Sequence, residues 1–280
     1  MLITTIDLAF AVAGLGVVVW ALRRRWTPAT PVPAPPGSSG ELILTALALL
    51  PAAVGPNILV VALTPGMPGM PTLVRWLLIP SLILLVVVWS FARAHGYDRL
   101  TNRIWAGFWV GTVAPAALDL FRLPAFLVGL LPGNMPRMFG VLIFDTMATG
   151  PTPASDIVGE LYHFAGVSAA FGLTYALIMG RTRWWGGLIW GLIIEAGMMT
   201  TPPMAIAMDT GYFGLKLGHG LLNGVFIGSL IPHIAYGIAL GLLLERYVRH
   251  EGTIFGLLAE LPRRPRGEPA PRRASSPGRG

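Results

Sequence analysis

The chain of 280 residues is 54% hydrophobic and only 12% charged, with a mean hydropathy of +0.67. A water-soluble domain carries about 25% charged residues, so that class is excluded and a polytopic membrane protein remains. The formal charge of +7 resides in arginines that sort by membrane side and needs no nucleic-acid partner, while the lack of cysteine removes disulfides, iron–sulfur clusters and thiolate-bound zinc.

Ile3 to Leu22 supplies the roughly 20 apolar residues that cross about 30 Å of hydrocarbon. Arg23, Arg24 and Arg25 follow it. Because the charges come after the apolar run and no A-x-A-like site closes it, residues 1–25 read as a retained transmembrane anchor. Residues 26–40, WTPATPVPAPPGSSG, form a Pro-rich cytoplasmic linker with no core of its own.

A six-span membrane domain is expected over residues 41–246. Its spans are Glu41 to Leu63, Thr72 to Ala94, Ile104 to Phe121, Ile157 to Gly180, Trp184 to Pro203 and Gly218 to Glu245. Between Phe121 and Asp156 the apolar pieces are too short to cross, which places residues 121–156 at the outer interface. Residues 247–280 are expected to form a basic cytoplasmic tail, disordered in its Pro/Arg/Gly-rich end. The fold class is therefore an all-α transmembrane bundle of seven spans. Alternating the spans puts sixteen arginines on one side against three arginines and Lys216 on the other. The positive-inside rule then sets the N-terminus outside and the C-terminus inside.

Small residues recur at helical spacing in three spans: Gly107 and Gly111, Gly187 and Gly191, and Gly220, Gly224 and Gly228 followed by Gly237 and Gly241. Four-residue spacing stacks them on one face, where a neighbouring backbone approaches closely. They read as helix-packing positions, with oligomer contacts through the same faces as an extension.

Ionisable residues at membrane depth are costly and mark sites. Glu195 lies roughly 16 Å and His233 roughly 20 Å from the inner ends of their spans at 1.5 Å per residue, so the two are expected to pair near the midplane. Pro232 leaves the carbonyl of Gly228 without its helical donor beside His233. Glu160 and His163 share one face at i, i+3 nearer the outside, and His219 and Asn223 lie on the His233 face of the last span. Asp119, Asp145, Asp156 and Asp209 are expected to be solvated at the outer boundary.

The runs ELYHFAGVSAAFGLTYALIMG, WWGGLIWGLIIEAGMMTTPP and PHIAYGIALGLLL resemble the arrangement of the YagU-like bacterial inner-membrane proteins. RIWAGFWVGTVAPAALDLFRLPAFLVGLLP is similar to the first glycine-rich span of that family. The resemblance covers residues 103–246, with His163, His233, Tyr236 and Gly237 at the matching positions. It implies the bacterial cytoplasmic membrane and brings no activity with it.

The polar set supports a proton or small-solute pathway through Glu195, His233, Asn223, Glu160 and His163, with no catalytic or metal-ligating residues assigned and no cofactor expected. Two alternatives stay open. One is a redox subunit holding haem or quinone between His163 and His219; the other is a structural or assembly subunit of a membrane complex.

Overall fold

The computed structural model describes residues 3–23, 32, 37–201, 205–206, 208–218, 220 and 222–260. Most of the linker, the end of the tail from residue 261, and His219 lie outside the described residues. Hydrocarbon offers no partner for backbone N–H and C=O groups, so long apolar runs must close their own hydrogen bonds as helices. Among the described residues six helices are long and apolar enough to cross a membrane: α1 (Thr5–Arg23), α2 (Ser39–Ala62), α3 (Met70–Ala94), α4 (Asp98–Leu127), α6 (Pro153–Met179) and α8 (Gly224–Tyr247). Shorter α-helices among the described residues include α5 (Met135–Phe144), α7 (Trp184–Met199) and α9 (Ile254–Glu260).

Local chemistry sets several of these ends. Ser38 caps α2 by accepting from the Glu41 N–H at 3.1 Å. Thr152 and Ser155 form a reciprocal capping box ahead of α6, with Pro153 at its first position. Asn223 caps α8 by accepting from the Phe226 N–H at 3.0 Å.

The helix ends gather at two faces. At one, Arg99 grips Glu41 bidentately at 2.8 and 2.6 Å, Arg246 donates to the Leu22 carbonyl at 2.7 Å, and the Arg181 N–H donates to the His250 carbonyl at 3.1 Å. Trp184 opens α7 on this same face, its N–H donating to Glu245 at 2.8 Å. The loops after α2, α4 and α7 lie at the other.

Two antiparallel helix pairs organise the interior. In α7 and α8, four-residue steps forward along one match four-residue steps back along the other, so Gly187 meets Gly241 and Gly191 meets Gly237. A Cβ on Gly187 would fall 2.5 Å from the Gly241 nitrogen, and one on Gly191 would fall 3.0 Å from the Gly237 Cα. In α4 and α6, Gly107 approaches Leu173 and Ala176 while Gly111 lies against Gly172, where a Cβ on Gly172 would stand 2.5 Å from the Gly111 Cα. All seven of these glycines therefore meet helices of this chain.

Several expected boundaries change. Within the expected span Trp184 to Pro203, whose last two residues lie outside the described ones, α7 has 16 residues and is about 24 Å long. Of residues 121–156, expected at the outer interface, α4 takes in Phe121 to Leu127, and Leu123, Ala125, Met138, Phe139 and Val141 are buried. The last helix begins at Gly224 instead of Gly218, and Gly220 has a φ of +80° outside it. Its glycine row is thus broken: a Cβ on Gly220 meets open space, whereas Gly224 and Gly228 face Leu130. The first helix, expected as an anchor set apart by its linker, packs within the bundle; a Cβ on Gly14 would lie 2.6 Å from that of Ala116.

Candidate functional site

The α7–α8 register that pairs the glycines also brings Glu195 opposite His233, one further four-residue step along. His233 Nδ1 lies 2.9 Å from Glu195 Oε2 and 2.9 Å from the Ser229 carbonyl, and Ser229 Oγ donates to the same Glu195 oxygen at 2.9 Å. This geometry puts the hydrogen on Nδ1, where it is shared between the two acceptors. Glu195 Oε1 is buried without a hydrogen-bond partner. Small residues do the positioning here, because only the close approach at Gly191 and Gly237 lets a glutamate and a histidine on adjacent helices touch.

A second buried group spans α1, α4, α6 and the segment before α5. Arg122 donates to Asp119 at 2.6 Å and to Asn134 at 2.9 Å, and Asn134 donates to Asp7 at 2.8 Å. His163 Nε2 stands 3.5 Å from Asp119, and Arg122 Nη2 is 4.0 Å from Glu160. Arg122 Nη2 is buried without a hydrogen-bond partner, and neither Glu160 oxygen meets a donor from a basic, amide or hydroxyl group. Glu160 adjoins the carboxyl group of Asp7. Two carboxylates in contact repel, so they hydrogen-bond only when a proton lies between them.

Three carboxyl groups in this network thus face one guanidinium and one imidazole. Even with His163 charged, the group is one proton short of neutrality, and an uncompensated charge at this depth is costly. Asp119, expected at the solvated boundary, is 0% exposed. The correction has a physical cause: the helix runs on for more than a turn past it, and Arg122 supplies its counter-charge from i+3. Asp156 is likewise buried and paired with Arg137 at 3.1 Å.

Both groups border a single cavity of about 360 Å³. Arg122, His163 and Ser168 contribute polar wall on one side, and Ser229, His233 and Thr201 on the other. The remaining wall is mostly apolar, with Phe139, Phe171, Trp190 and several methionines. Pro56 and Asn57 of α2 and Ile193 of α7 also line it, and Asn57 and Ile193 are exposed, so the cavity reaches the outer surface of the bundle between these helices. Tyr236 closes the floor, its hydroxyl donating to the Ser168 carbonyl at 3.2 Å. Residues 162–168 of α6, which carry His163 and Ser168, form a π-helical turn, a local widening common at functional sites. The Tyr162 hydroxyl holds this turn against α2 by donating to the Gly55 carbonyl at 2.6 Å.

Not every expected site residue joins. Asn223 is occupied at the head of α8, where its amide donates to the Phe213 and Gly220 carbonyls at 2.8 and 3.0 Å; it does not line the cavity. Glu160 and His163 belong to the network of Asp7 and Arg122 and not to a pair of their own. Sequence reasoning passed over Asp7, Arg122, Asn134 and Ser229. An acid one turn into an apolar span is a usable signal for Asp7, and Asp119 with Arg122 at i, i+3 is another. Asn134 lies in a turn and carries no such signal.

Among the described residues no group of three or more His, Asp or Glu is arranged to hold a metal ion. No family model matches the chain, and comparison with curated proteins and with solved structures finds no match.

Proposed function

We propose that this multi-pass membrane protein provides a path for protons, or for a small solute moving with them, through the cavity between its two buried ionisable groups. The observation that carries the reading is the shared cavity: His163 and Arg122 from one group and His233 and Ser229 from the other line the same space. A packing scaffold does not require this, because polar residues that only set helix register are satisfied among themselves. Here Arg122 Nη2 and Glu195 Oε1 keep unfilled hydrogen-bonding capacity.

In this reading Asp7 and Glu160 hold a proton on the outer side, His163 and His233 pass it across the cavity, and Glu195 receives it. Orientation follows the arginines, with the C-terminal face in the cytoplasm, the N-terminus outside, α7 completing a seventh crossing, and the membrane that of a bacterial cell, as the YagU-like resemblance implies. The close glycine contacts keep the two groups in register.

The test is proton flux into liposomes under an imposed pH gradient, followed with a trapped pH-sensitive dye. Glu160→Gln and Glu195→Gln should each lower the rate at least about tenfold, the size expected when a positioned proton-transfer group is lost. Equal flux in the wild type and both variants would sink the pathway. A second reading is favoured by the apolar wall and its opening between α2 and α7: a quinone whose ring oxygens meet His163 and His233. Solvent extraction of the purified protein, with no quinone recovered, would remove it.

A further inference from the structure

A second cavity, of about 670 Å³, lies on the basic face, away from the proposed pathway, between the end of α3, the start of α4 and the segment after α8. Arg93, Arg249 and His250 line it with Trp89 and Trp105, and Asp98 is its one acidic wall residue. Arg93 and Arg249 are exposed and form no ion pair within 4.0 Å among the described residues. Two further groups are buried there without hydrogen-bond partners: the indole Nε1 of Trp89 and Nδ1 of His250, whose residue is 8% exposed. An indole N–H only donates, and a guanidinium only donates. The wall is therefore rich in donors and positive charge, with the Asp98 carboxylate alone set against Arg93 and Arg249.

The position selects the ligand. Arg93 stands in the last turn of α3 and Arg249 two residues past α8, level with the membrane boundary that the helix ends define. Arg93 lies over the Trp89 ring with its guanidinium carbon 5.4 Å from the centroid. Two helical turns from Arg93 on the same face of α3, Val86 is 62% exposed, and Trp105 of α4 is 60% exposed. An apolar surface thus continues from the basic cavity towards the hydrocarbon. We propose that this cavity binds the phosphate headgroup of an anionic phospholipid, with Arg93, Arg249 and Trp89 as its donors and the acyl chains lying along Val86 and Trp105. Basic pockets between helices at the cytoplasmic face suit such headgroups.

His250 tunes the site. Burial, and after it the charges of Arg103 and Arg99, hold its imidazole below the ordinary histidine range, opposed by Asp98. A bound phosphate relieves that repulsion, so binding strengthens as the pH falls towards the range where His250 gains its proton.

Native mass spectrometry of the full chain in neutral detergent, titrated with phosphatidylglycerol, phosphatidylcholine or inorganic phosphate, tests this. The expected result is a saturable phosphatidylglycerol adduct at least tenfold tighter than phosphatidylcholine and unmoved by millimolar phosphate. Arg93→Gln with Arg249→Gln should weaken it about thirtyfold, the loss that two interfacial arginines account for, while Arg75→Gln on the other face leaves it unchanged. Equal retention of the two lipids would overturn the proposal, as would displacement by phosphate alone, which marks a free-anion site. Both outcomes are read on the wild type, so they stand even if the double variant does not fold.

Discussion

Removing Glu195 and His233, singly and together as alanines, measures the contact that joins α7 to α8 at membrane depth. At a separation of 2.9 Å, an ionised pair attracts by about 6 kcal/mol with an effective dielectric near 20. Desolvation offsets part of this, and breaking a buried pair by taking one partner costs about 3–5 kcal/mol. A hydrogen bond between uncharged groups on neighbouring membrane helices contributes only about 0.6–1.7 kcal/mol. The Nδ1 hydrogen is divided between Glu195 and the Ser229 carbonyl, which places the expected coupling near the lower bound for a charged pair, about 3 kcal/mol. The assay is unfolding of the four proteins in mixed micelles by rising dodecyl sulfate, followed by far-ultraviolet circular dichroism at one pH. Losses that simply add would show that the residues do not interact. A coupling near 1 kcal/mol would keep the contact and refute its ionic character.

Gly241→Ala should destabilise the bundle by about 1–3 kcal/mol, since its Cβ would sit 2.8 Å from the Trp184 carbonyl carbon with only backbone to give way; Gly16→Ala, where nothing lies within 4 Å, should be neutral in the same unfolding assay. Glu41→Ala removes the bidentate partner of Arg99, 4% exposed, and should cost about 3–5 kcal/mol with proton flux per folded molecule unchanged. Asn223→Ala removes a cap and should cost about 1 kcal/mol, again without loss of flux; a flux defect would return Asn223 to the pathway. For His250, the folded-state pKa is depressed, so its neutral form contributes stability above about pH 6.5 that is lost as the pH falls through the folded value. Without anionic lipid, His250→Gln should flatten the decline of stability below about pH 6.5; an unchanged slope would contradict the assignment.

Helix existence was legible because it rests on composition alone: in hydrocarbon a run of about 20 apolar residues has no alternative to a helix. Each of the six long helices overlaps an apolar run read from the sequence. Their ends were less legible. After α4 the Val128, Gly129 and Leu130 N–H groups bond back to the Pro124, Phe126 and Ala125 carbonyls, so the helix closes in a local turn whose position hydropathy does not mark.

Polar partners divide in the same way. Glu195 and His233 could be matched by depth, because a helix rises regularly and two ionisable groups at one level of a bundle have few other neighbours. Close packing at Gly191 and Gly237 brings them into contact, and tertiary structure alone decides that. The group of Asp7, Asp119, Arg122, Asn134, Glu160 and His163 draws on residues up to 156 positions apart, so no spacing rule finds it. By itself the sequence determined that the chain forms apolar helices with arginine-rich connections, which solvation energy dictates residue by residue. Only the tertiary structure decided which buried charges share one cavity, because that depends on helix register and crossing, set by where small residues allow two backbones to touch.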